Sequence, residues 1–541
     1  MQSGWTLSVL GIALLIATPM LVVLSSVFSD TGEVWQHLVA TVLPRYLVNS
    51  LLLVLGVSLG AGLIGISTAW LVSMCRFPGS RMLQWALLLP LAVPAYILAY
   101  VYTELLEFYG PVQLGLRALF GWTSVNDYWF PPVRSLGGAI GMLSLVLYPY
   151  VYLLVRVAFL EQSVCTLEAS RSLGCGPWRS FFRVALPLVR PAAIAGLALV
   201  MMETLNDYGT VQYFAVDTFS VGIYRTWFNM GERIAASQLS ACLLLIVLLI
   251  VLLEQWSRRQ RRYYQSTSRY QAAAAYPLTG LRAGLAGLVC GLPVLLGFGI
   301  PALLLLQLAT QNLTERFGER FWTLARNSLT LALLTAAIGM GLALVLAYGL
   351  RLWPTRLMGL AVRTSALGYA IPGSVIAVGV LVPLGQFDNA LDAWMRARFG
   401  LSTGLLLSGT LVALVFAYLV RFLAVAFNTV ESSLVRIRPS LDEAAQSLGR
   451  KPSQTLRQIH IPLMRGGLLT AMILVFVDVM KELPATLIVR PFNFDTLAVE
   501  VYRLAADERL AEAAAPALAI VAVGLLPVVL LSWQITRSRV R

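Results

Sequence analysis

Residues 168–174 read Glu-Ala-Ser-Arg-Ser-Leu-Gly, and residues 443–449 read Glu-Ala-Ala-Gln-Ser-Leu-Gly, at an offset of 275. Pro187 and Pro462 follow the two glycines at equal spacing, after a leucine in one copy and an isoleucine in the other. Further matches occur at an offset of 278: Asn49-Ser50 with Asn327-Ser328, Pro94 with Pro372, Thr218 with Thr496 and Tyr224 with Tyr502. Such a colinear series indicates an internal duplication, so we predict two halves with the same topology.

The composition places this duplication in a membrane. Hydrophobic residues make up 58% of the 541 residues and charged residues 12%, with a mean hydropathy of +0.77; soluble proteins carry about 25% charged residues. Apolar runs of about 20 residues, long enough to cross a bilayer as a helix, recur along the chain. These values exclude a soluble enzyme, a nucleic-acid-binding domain and a disordered chain. We expect the chain to contact membrane lipid and no nucleic acid.

We predict an all-α polytopic membrane protein with about twelve transmembrane helices in two parallel six-helix halves. The first half covers residues 1–255, a basic cytosolic linker covers 256–281, and the second half covers 282–541. The predicted spans are 5–28, 46–72, 82–104, 137–160, 191–210, 237–255, 283–310, 327–350, 358–384, 404–428, 466–486 and 513–535. Parallel halves suggest a pseudo-twofold axis along the membrane normal, with the pathway between the halves.

The basic residues predict the orientation. If both termini are cytosolic, the predicted cytosolic segments contain 26 of the 40 Lys and Arg residues. This bias agrees with the positive-inside rule, so we predict that both termini lie in the cytosol. Four arginines of the linker are predicted to anchor it to anionic lipid: Arg258, Arg259, Arg261 and Arg262.

The lysines exclude a phosphate-binding P-loop. The chain has only Lys451 and Lys481, which follow Arg450 and Met480. A P-loop requires glycine immediately before its lysine. The chain therefore has no Walker A site, and any ATP chemistry must reside on another polypeptide.

The repeated block has the properties of a docking element. Residues 168–173 favour a helix, and Gly174 can end it in the left-handed conformation. A second stretch follows, from Trp178 to Leu186, and Pro187 and Pro191 are predicted to start the next span. We predict a helix–turn–helix on the cytosolic side, between spans 4 and 5 and again between spans 10 and 11. The alternative is an interfacial loop that only caps the helix bundle.

The two blocks resemble the EAA loop of permease subunits in binding-protein-dependent ABC importers. The resemblance implies a type I importer-like permease, without enzymatic activity or cofactor of its own, in a bacterial cytoplasmic (inner) membrane. It also implies two copies of an ATPase partner that bind ATP and Mg. The residues implied to couple to that ATPase are Glu168, Ala169, Gly174 and Pro187 in the first copy and Glu443, Ala444, Ala445, Gly449 and Pro462 in the second.

A fused chain with two copies is similar to the ferric-iron importer permeases, as are segments 203–214 and 481–491. This resemblance implies an extracytoplasmic ferric-iron-binding protein as a partner. A thiamine-importer permease is also a fused double unit and stays as the alternative. An ion-coupled secondary transporter is a further alternative, although it has no use for duplicated EAA loops.

Two pairs of acidic residues are candidates for the pathway. Glu203 and Asp207 in span 5 recur at offset 275 as Asp478 and Glu482 in span 11, each pair at i and i+4 on one helix face. Acids inside a membrane normally face a cavity or a partner, and oxygen ligands suit a hard cation such as ferric iron. We predict that these four line the pathway and are candidate metal ligands. The structural alternative is that Lys481 pairs with Asp478.

Overall fold

The computed structural model describes residues 2–29, 33–161, 176–259, 276–311 and 317–538. Its α-helices, in chain order, are α1 (Gln2–Ser25), α2 (Glu33–Thr41), α3 (Leu43–Met74), α4 (Ser80–Ala86), α5 (Ala95–Leu106), α6 (Pro111–Phe120), α7 (Leu136–Glu161), α8 (Pro177–Ser180), α9 (Leu186–Asn206), α10 (Gly209–Tyr213), α11 (Phe219–Phe228), α12 (Arg233–Arg259), α13 (Gly280–Val294), α14 (Ile300–Thr310), α15 (Glu319–Leu352), α16 (Arg356–Ser365), α17 (Gly373–Phe399), α18 (Leu411–Val435), α19 (Ser440–Ser447), α20 (Pro452–Thr455), α21 (Ile461–Met480), α22 (Pro484–Val489), α23 (Leu497–Ala506) and α24 (Leu510–Ser538).

Shorter elements connect these helices. The 3₁₀ turns are Ser26–Phe28, Leu89–Ala92, Val125–Asp127 and Gly368–Ala370, and the π turns are Phe181–Ala185, Leu295–Gly299 and Leu456–His460. Strands β1 (Cys75–Arg76) and β2 (Tyr276–Pro277) form a parallel pair, with Cys75 opposite Tyr276.

The helices confirm the predicted fold class. Within the described residues, eleven helices are long and apolar enough to cross a membrane, and the number is twelve if one bent pair counts as a single span. That pair, Ser80–Ala92 and Ala95–Phe120, bends by 92°. The chain is therefore a polytopic helical membrane protein with the predicted number of spans.

Two predicted spans, 82–104 and 358–384, are interrupted at matching prolines. The backbone at Pro94 has φ −58° and ψ 142°, and at Pro372 φ −57° and ψ 141°. A residue before proline avoids the helical region, and the preceding Val93 and Ile371 are extended in the structure. Each segment is therefore a short helix, a 3₁₀ turn and a new helix, and the prediction of one continuous span is wrong at both places.

The chain forms two compact units that do not coincide with contiguous halves. We name them by the repeat at their core. The repeat-1 unit consists of Val39–Val221, Leu245–Arg316 and Val501–Arg541, and the repeat-2 unit of Met1–Leu38, Gly222–Leu244 and Phe317–Glu500. Helix α1 packs on α15, α16 and α17 in the repeat-2 unit, whereas α24 packs on α14 in the repeat-1 unit. The division into 1–255, 256–281 and 282–541 follows the sequence repeat and stays a prediction.

Residues matched by the duplication make the same hydrogen bonds in each unit. In the repeat-1 unit, Asn49 Nδ2 donates to the Asp217 carbonyl at 2.9 Å and Ser50 Oγ accepts from the Phe219 amide at 3.2 Å. The same two bonds recur in the repeat-2 unit at offset 278: Asn327 to the Asp495 carbonyl at 3.1 Å, and the Leu497 amide to Ser328 at 2.9 Å. Each pair ties the start of a long helix to a distant loop.

Candidate functional site

The second copy of the repeated block forms a capped helix followed by a tight turn. Helix α19 covers most of it, and Gly449 follows with φ +72°. The Gly449 amide donates to the Gln446 carbonyl at 2.9 Å and the Arg450 amide to the Ala445 carbonyl at 3.0 Å. These two bonds form a Schellman motif, which requires the left-handed conformation that glycine favours. The predicted helix end at Gly449 is confirmed; Glu168, Ala169 and Gly174 lie outside the described residues.

Helix α19 presents one face outward. Glu443 and Ala444 are exposed, and so is Leu448, of which 80% is accessible. Ala445 points inward and is buried. The outward face of α19 therefore combines acidic, short and apolar side chains.

A buried polar network anchors α19 within the repeat-2 unit. Asp442 Oδ2 accepts from Arg351 Nε at 2.9 Å and Nη2 at 2.7 Å, and Asp442 Oδ1 lies 2.6 Å from His460 Nε2. Arg351 also donates to the carbonyls of Leu434 and Ile437, at 2.6 and 2.9 Å. The guanidinium therefore ties α15, the end of α18 and the start of α19 into one rigid base.

Sequence analysis missed this network, although a signal was present. His460 is one of only two histidines and precedes the motif Ile-Pro, and Asp442 precedes the motif glutamate. The aligned positions of the first repeat cannot form this network, because Arg351 and His460 correspond there to Ser73 and Ala185. There, Trp70 packs against Phe159 and Phe181, with ring centroids 5.4 and 4.9 Å away. The described residues of the first repeat thus form an aromatic cluster in this region, whereas the second repeat combines the charged network with packing of Tyr348 on His460.

A groove borders the anchored end of α19. It has a volume of about 630 Å³ and is lined by Arg436, Arg438, Leu441, Leu463 and Gly467, among others. A Cβ on Gly467 would lie 2.0 Å from Ser433 Oγ, so α21 and α18 approach closely at its floor. The groove is therefore lined by basic and apolar residues beside the start of α19.

Each motif proline, Pro187 and Pro462, follows a π turn within a continuous helical segment. The segment that contains Pro187 thus begins before the proline, whereas Pro187 was predicted to start the span. The Leu186 amide donates to the Phe181 carbonyl, and the Ile461 amide to the Leu456 carbonyl, each five residues back. Pro187 and Pro462 have no amide hydrogen to donate. The wider turn accommodates the missing amide hydrogen in both copies, and the two π turns are related by the offset of 275.

One member of each acid pair caps a short helix. Asp207 accepts from Thr210 Oγ1 at 2.9 Å and from the Val211 amide at 3.1 Å, at the start of α10. Glu482 accepts from the Ala485 amide at 2.9 Å and the Thr486 amide at 3.0 Å, at the start of α22. Side-chain oxygens at a helix N-terminus satisfy amides that have no partner within the helix. The two acids therefore have matching structural roles.

The other member of each pair has a different environment. Glu203 is half-buried, 3.5 Å from Asn206 Nδ2, and within electrostatic range of Asp207. Asp478 lies 3.1 Å from Lys481 Nζ, the contact that the structural alternative predicted. Within the described residues, no three His, Cys, Asp or Glu side chains converge to hold a metal ion. The pathway role of the four acids stays a prediction.

A buried arginine lies beside Glu482. A Cβ on Gly373 would lie 2.7 Å from Glu482 Oε1 and 2.9 Å from Arg421 Nη1. Glycine at 373 is therefore required for the two charged groups to approach each other. Arg421 is buried on α18, and sequence analysis did not single it out.

Two stretches of the chain, residues 61–262 and 339–539, match one family model, the binding-protein-dependent transport system inner membrane component. The chain belongs to this family. Each match contains one copy of the repeated block and one acid pair. The prediction of a fused, two-copy permease subunit of a binding-protein-dependent ABC importer is confirmed.

Individual relatives of the permease are named for different substrates. The Fe(3+)-transport system permease protein FbpB 2 of Haemophilus influenzae is 27% identical over 90% of this chain and 89% of its own length. The molybdenum transport system permease protein ModB of Escherichia coli is 31% identical over 28% of this chain and 62% of its own length. The sulfate transport system permease protein CysT of Escherichia coli is 29% identical over 28% of this chain and 52% of its own length. The family thus fixes the permease class and leaves the substrate open.

Proposed function

We propose that this permease forms the membrane pathway for ferric iron, which an extracytoplasmic binding protein delivers and a separate ATPase subunit drives inward. The observation that carries the proposal is the extent of the match. The Fe(3+) permease aligns with 90% of the chain, and therefore with both repeats, whereas the molybdenum and sulfate permeases align with 28% of it.

The charge of the first acid pair supports a cation rather than an oxyanion. Glu203 and Asp207 interact electrostatically with each other, and two carboxylates in a poorly solvated environment repel a molybdate or sulfate ion. Carboxylate oxygens are hard ligands that suit a small, highly charged cation. A passing cation would also relieve the repulsion between the two acids.

Coupling to the ATPase is proposed to run through the EAA loops. Glu443, Ala444 and Leu448 provide the exposed face of the second loop, and the Asp442 network holds that face in place. In this arrangement the loops and both termini are cytosolic, and the ATPase binds ATP and Mg. Because one chain contains both loops, one copy of the permease is expected to bind two copies of the ATPase and one binding protein.

Transport in proteoliposomes tests the substrate. The permease is reconstituted with its ATPase and binding protein, and ATP-dependent uptake of radiolabelled ferric iron, molybdate, sulfate and thiamine is compared. Uptake of ferric iron alone is expected. Uptake of thiamine or an oxyanion, with no uptake of iron, would overturn the proposal.

A further inference from the structure

Five tyrosines of the repeat-1 unit interact with one another or with Asp207: Tyr96, Tyr100, Tyr208, Tyr213 and Tyr502. The ring of Tyr100 lies between its neighbours, with centroids 4.5 Å from Tyr213 and 5.9 Å from Tyr96. The hydroxyl oxygens of Tyr208 and Tyr502 are 3.2 Å apart. Tyr100 is also within electrostatic range of both Asp207 and Tyr502. We call this set the tyrosine cluster.

The Tyr100 hydroxyl has no hydrogen-bond partner among the residues that the structure describes, although only 1% of the residue is exposed. Leaving a buried hydroxyl unsatisfied costs about 1–3 kcal/mol. A buried polar group without a partner requires an explanation, and binding of an ion is one such explanation. The hydroxyl shares its surroundings with a carboxylate and three further phenols, so a cation has several oxygen ligands within reach.

The repeat-2 unit provides an internal comparison. The positions of Tyr96 and Tyr100 are Ser374 and Val378 there, and those of Tyr208 and Tyr213 are Leu483 and Ile488. The backbone at the break, Pro94 and Pro372, is the same in both. The capping acid is retained as Glu482, but it lies beside the buried Arg421. The repeat-1 unit thus places phenol oxygens near its acid, whereas the repeat-2 unit places a fixed cation beside its own.

Arg134 packs on the tyrosine cluster but does not neutralise the charge of Asp207. The guanidinium carbon lies 4.9 Å from the centroid of the Tyr213 ring. Arg134 is also paired with two carboxylates, Glu107 at 2.6 Å and Glu508 at 2.9 Å. Because both partners of Arg134 are acids, the negative charge of Asp207 stays available to a ligand.

We propose that the tyrosine cluster is a transit site for a hard trivalent cation, held by the Asp207 carboxylate and the phenol oxygens of Tyr100, Tyr208 and Tyr502. The site deepens the proposed function, on which it rests, and accounts for the lack of a purely acidic metal cluster among the described residues. Each phenol that becomes a ligand exchanges its O–H bond for an iron–oxygen bond and gives its proton to solvent. Iron stays ferric throughout, so the step needs no electron donor.

Ferric nitrilotriacetate is the probe for this site. The full chain, purified in lipid nanodiscs, is titrated and followed by visible absorption, because phenolate bound to ferric iron gives a charge-transfer band. We expect a saturable band that gallium nitrilotriacetate, which has no such band, abolishes by competition. Tyr208→Phe, Tyr502→Phe and Asp207→Asn are each expected to weaken apparent iron affinity about tenfold or more.

The chain offers a matched control for Tyr100→Phe. Tyr148 lies in the same unit, is fully buried, and also has a hydroxyl without a partner among the described residues. Tyr148→Phe is expected to leave the band and the affinity unchanged, whereas Tyr100→Phe reduces both. The Asp207→Asn variant keeps a side chain that can cap a helix, and thermal unfolding of each variant shows that the fold is retained.

Uptake by the reconstituted wild type separates this proposal from the proposed function. If the wild type transports iron but shows no band, or if the cluster variants bind iron as the wild type does, the site is wrong and the function stands. If Tyr148→Phe loses as much affinity as Tyr100→Phe, the site is also wrong. A band that the cluster variants lose, without any iron uptake, overturns the function and leaves the metal site.

Discussion

Replacement of Gly449 tests whether the shape of the second EAA loop matters for coupling. Gly449 has φ +72°, and no atom lies within 4 Å of the position of an added Cβ. The cost of Gly449→Ala is therefore the cost of the left-handed backbone alone, about 1–2 kcal/mol. Because 1.4 kcal/mol corresponds to a factor of ten, the affinity for the ATPase is expected to fall about 5- to 30-fold.

The comparison of three variants isolates the backbone effect. Gly449→Asn places a residue that tolerates the left-handed region, so its affinity should stay within about twofold of the wild type. Gly359→Ala is the control: Gly359 also has no neighbour within 4 Å of an added Cβ, but it lies inside α16 with an ordinary helical backbone. Alanine there is expected to leave docking unchanged.

The assay is titration of the nanodisc-embedded permease with the purified ATPase, followed by binding-protein-stimulated ATP hydrolysis. Gly449→Val should be more severe than Gly449→Ala, because a β-branched residue is disfavoured further at positive φ. If Gly449→Ala binds and stimulates hydrolysis like the wild type, or if Gly449→Asn is as damaging as Gly449→Ala, the argument from backbone conformation is refuted.

Three further changes test other parts of the structure. Asp442→Ala leaves a guanidinium and an imidazole without their carboxylate. The change is expected to lower the stability of this region by about 1.5–3 kcal/mol and to loosen α19. Hydrogen exchange in α19 and the affinity for the ATPase measure the effect, and unchanged exchange would contradict the anchoring role. Glu203→Gln with Asp478→Asn is expected to lower iron uptake per ATP while leaving complex yield intact, whereas loss of the complex would favour a purely structural role. The Asp127 carboxylate accepts amide hydrogen bonds that lower its pKa. The ordered turn at residues 123–128 should therefore be stable above about pH 4 and should be lost as the pH falls through the lower folded-state pKa. Hydrogen exchange in this turn that does not change with pH, after correction for the intrinsic rate, would exclude this.

The duplication made much of the fold predictable from sequence. Matches such as Asn49 with Asn327 mark positions with equal backbone geometry, and the structure gives them equal hydrogen bonds. Gly449 was predictable for the same reason, since a local rule links glycine after a short helix to the left-handed turn. Local patterns of this kind need no knowledge of distant contacts.

The remaining features depend on distant contacts and were not predictable. Asp442 and His460 flank motif residues, but Arg351 lies 91 residues before Asp442, and no local pattern indicates that the three side chains meet. Arg421 resembles any other basic residue near a span until Gly373 brings it beside Glu482. The tyrosine cluster combines three segments of the chain, and single tyrosines in apolar runs are ordinary packing residues.

Helix α1 packs in the repeat-2 unit and α24 in the repeat-1 unit, and this arrangement constrains folding during synthesis. Helix α1 is synthesised well before its packing partners α15–α17, which begin at Glu319. At about 5–20 residues per second, roughly 15–60 s pass before they are synthesised. During that interval α1 must stay in the bilayer as a single helix, and its exposed Leu7, Leu14 and Leu21 suit it to lipid. The repeat-1 unit, in turn, lacks α24 until after the repeat-2 unit, which ends at Glu500, has been synthesised. The unit whose core is translated first is therefore completed second.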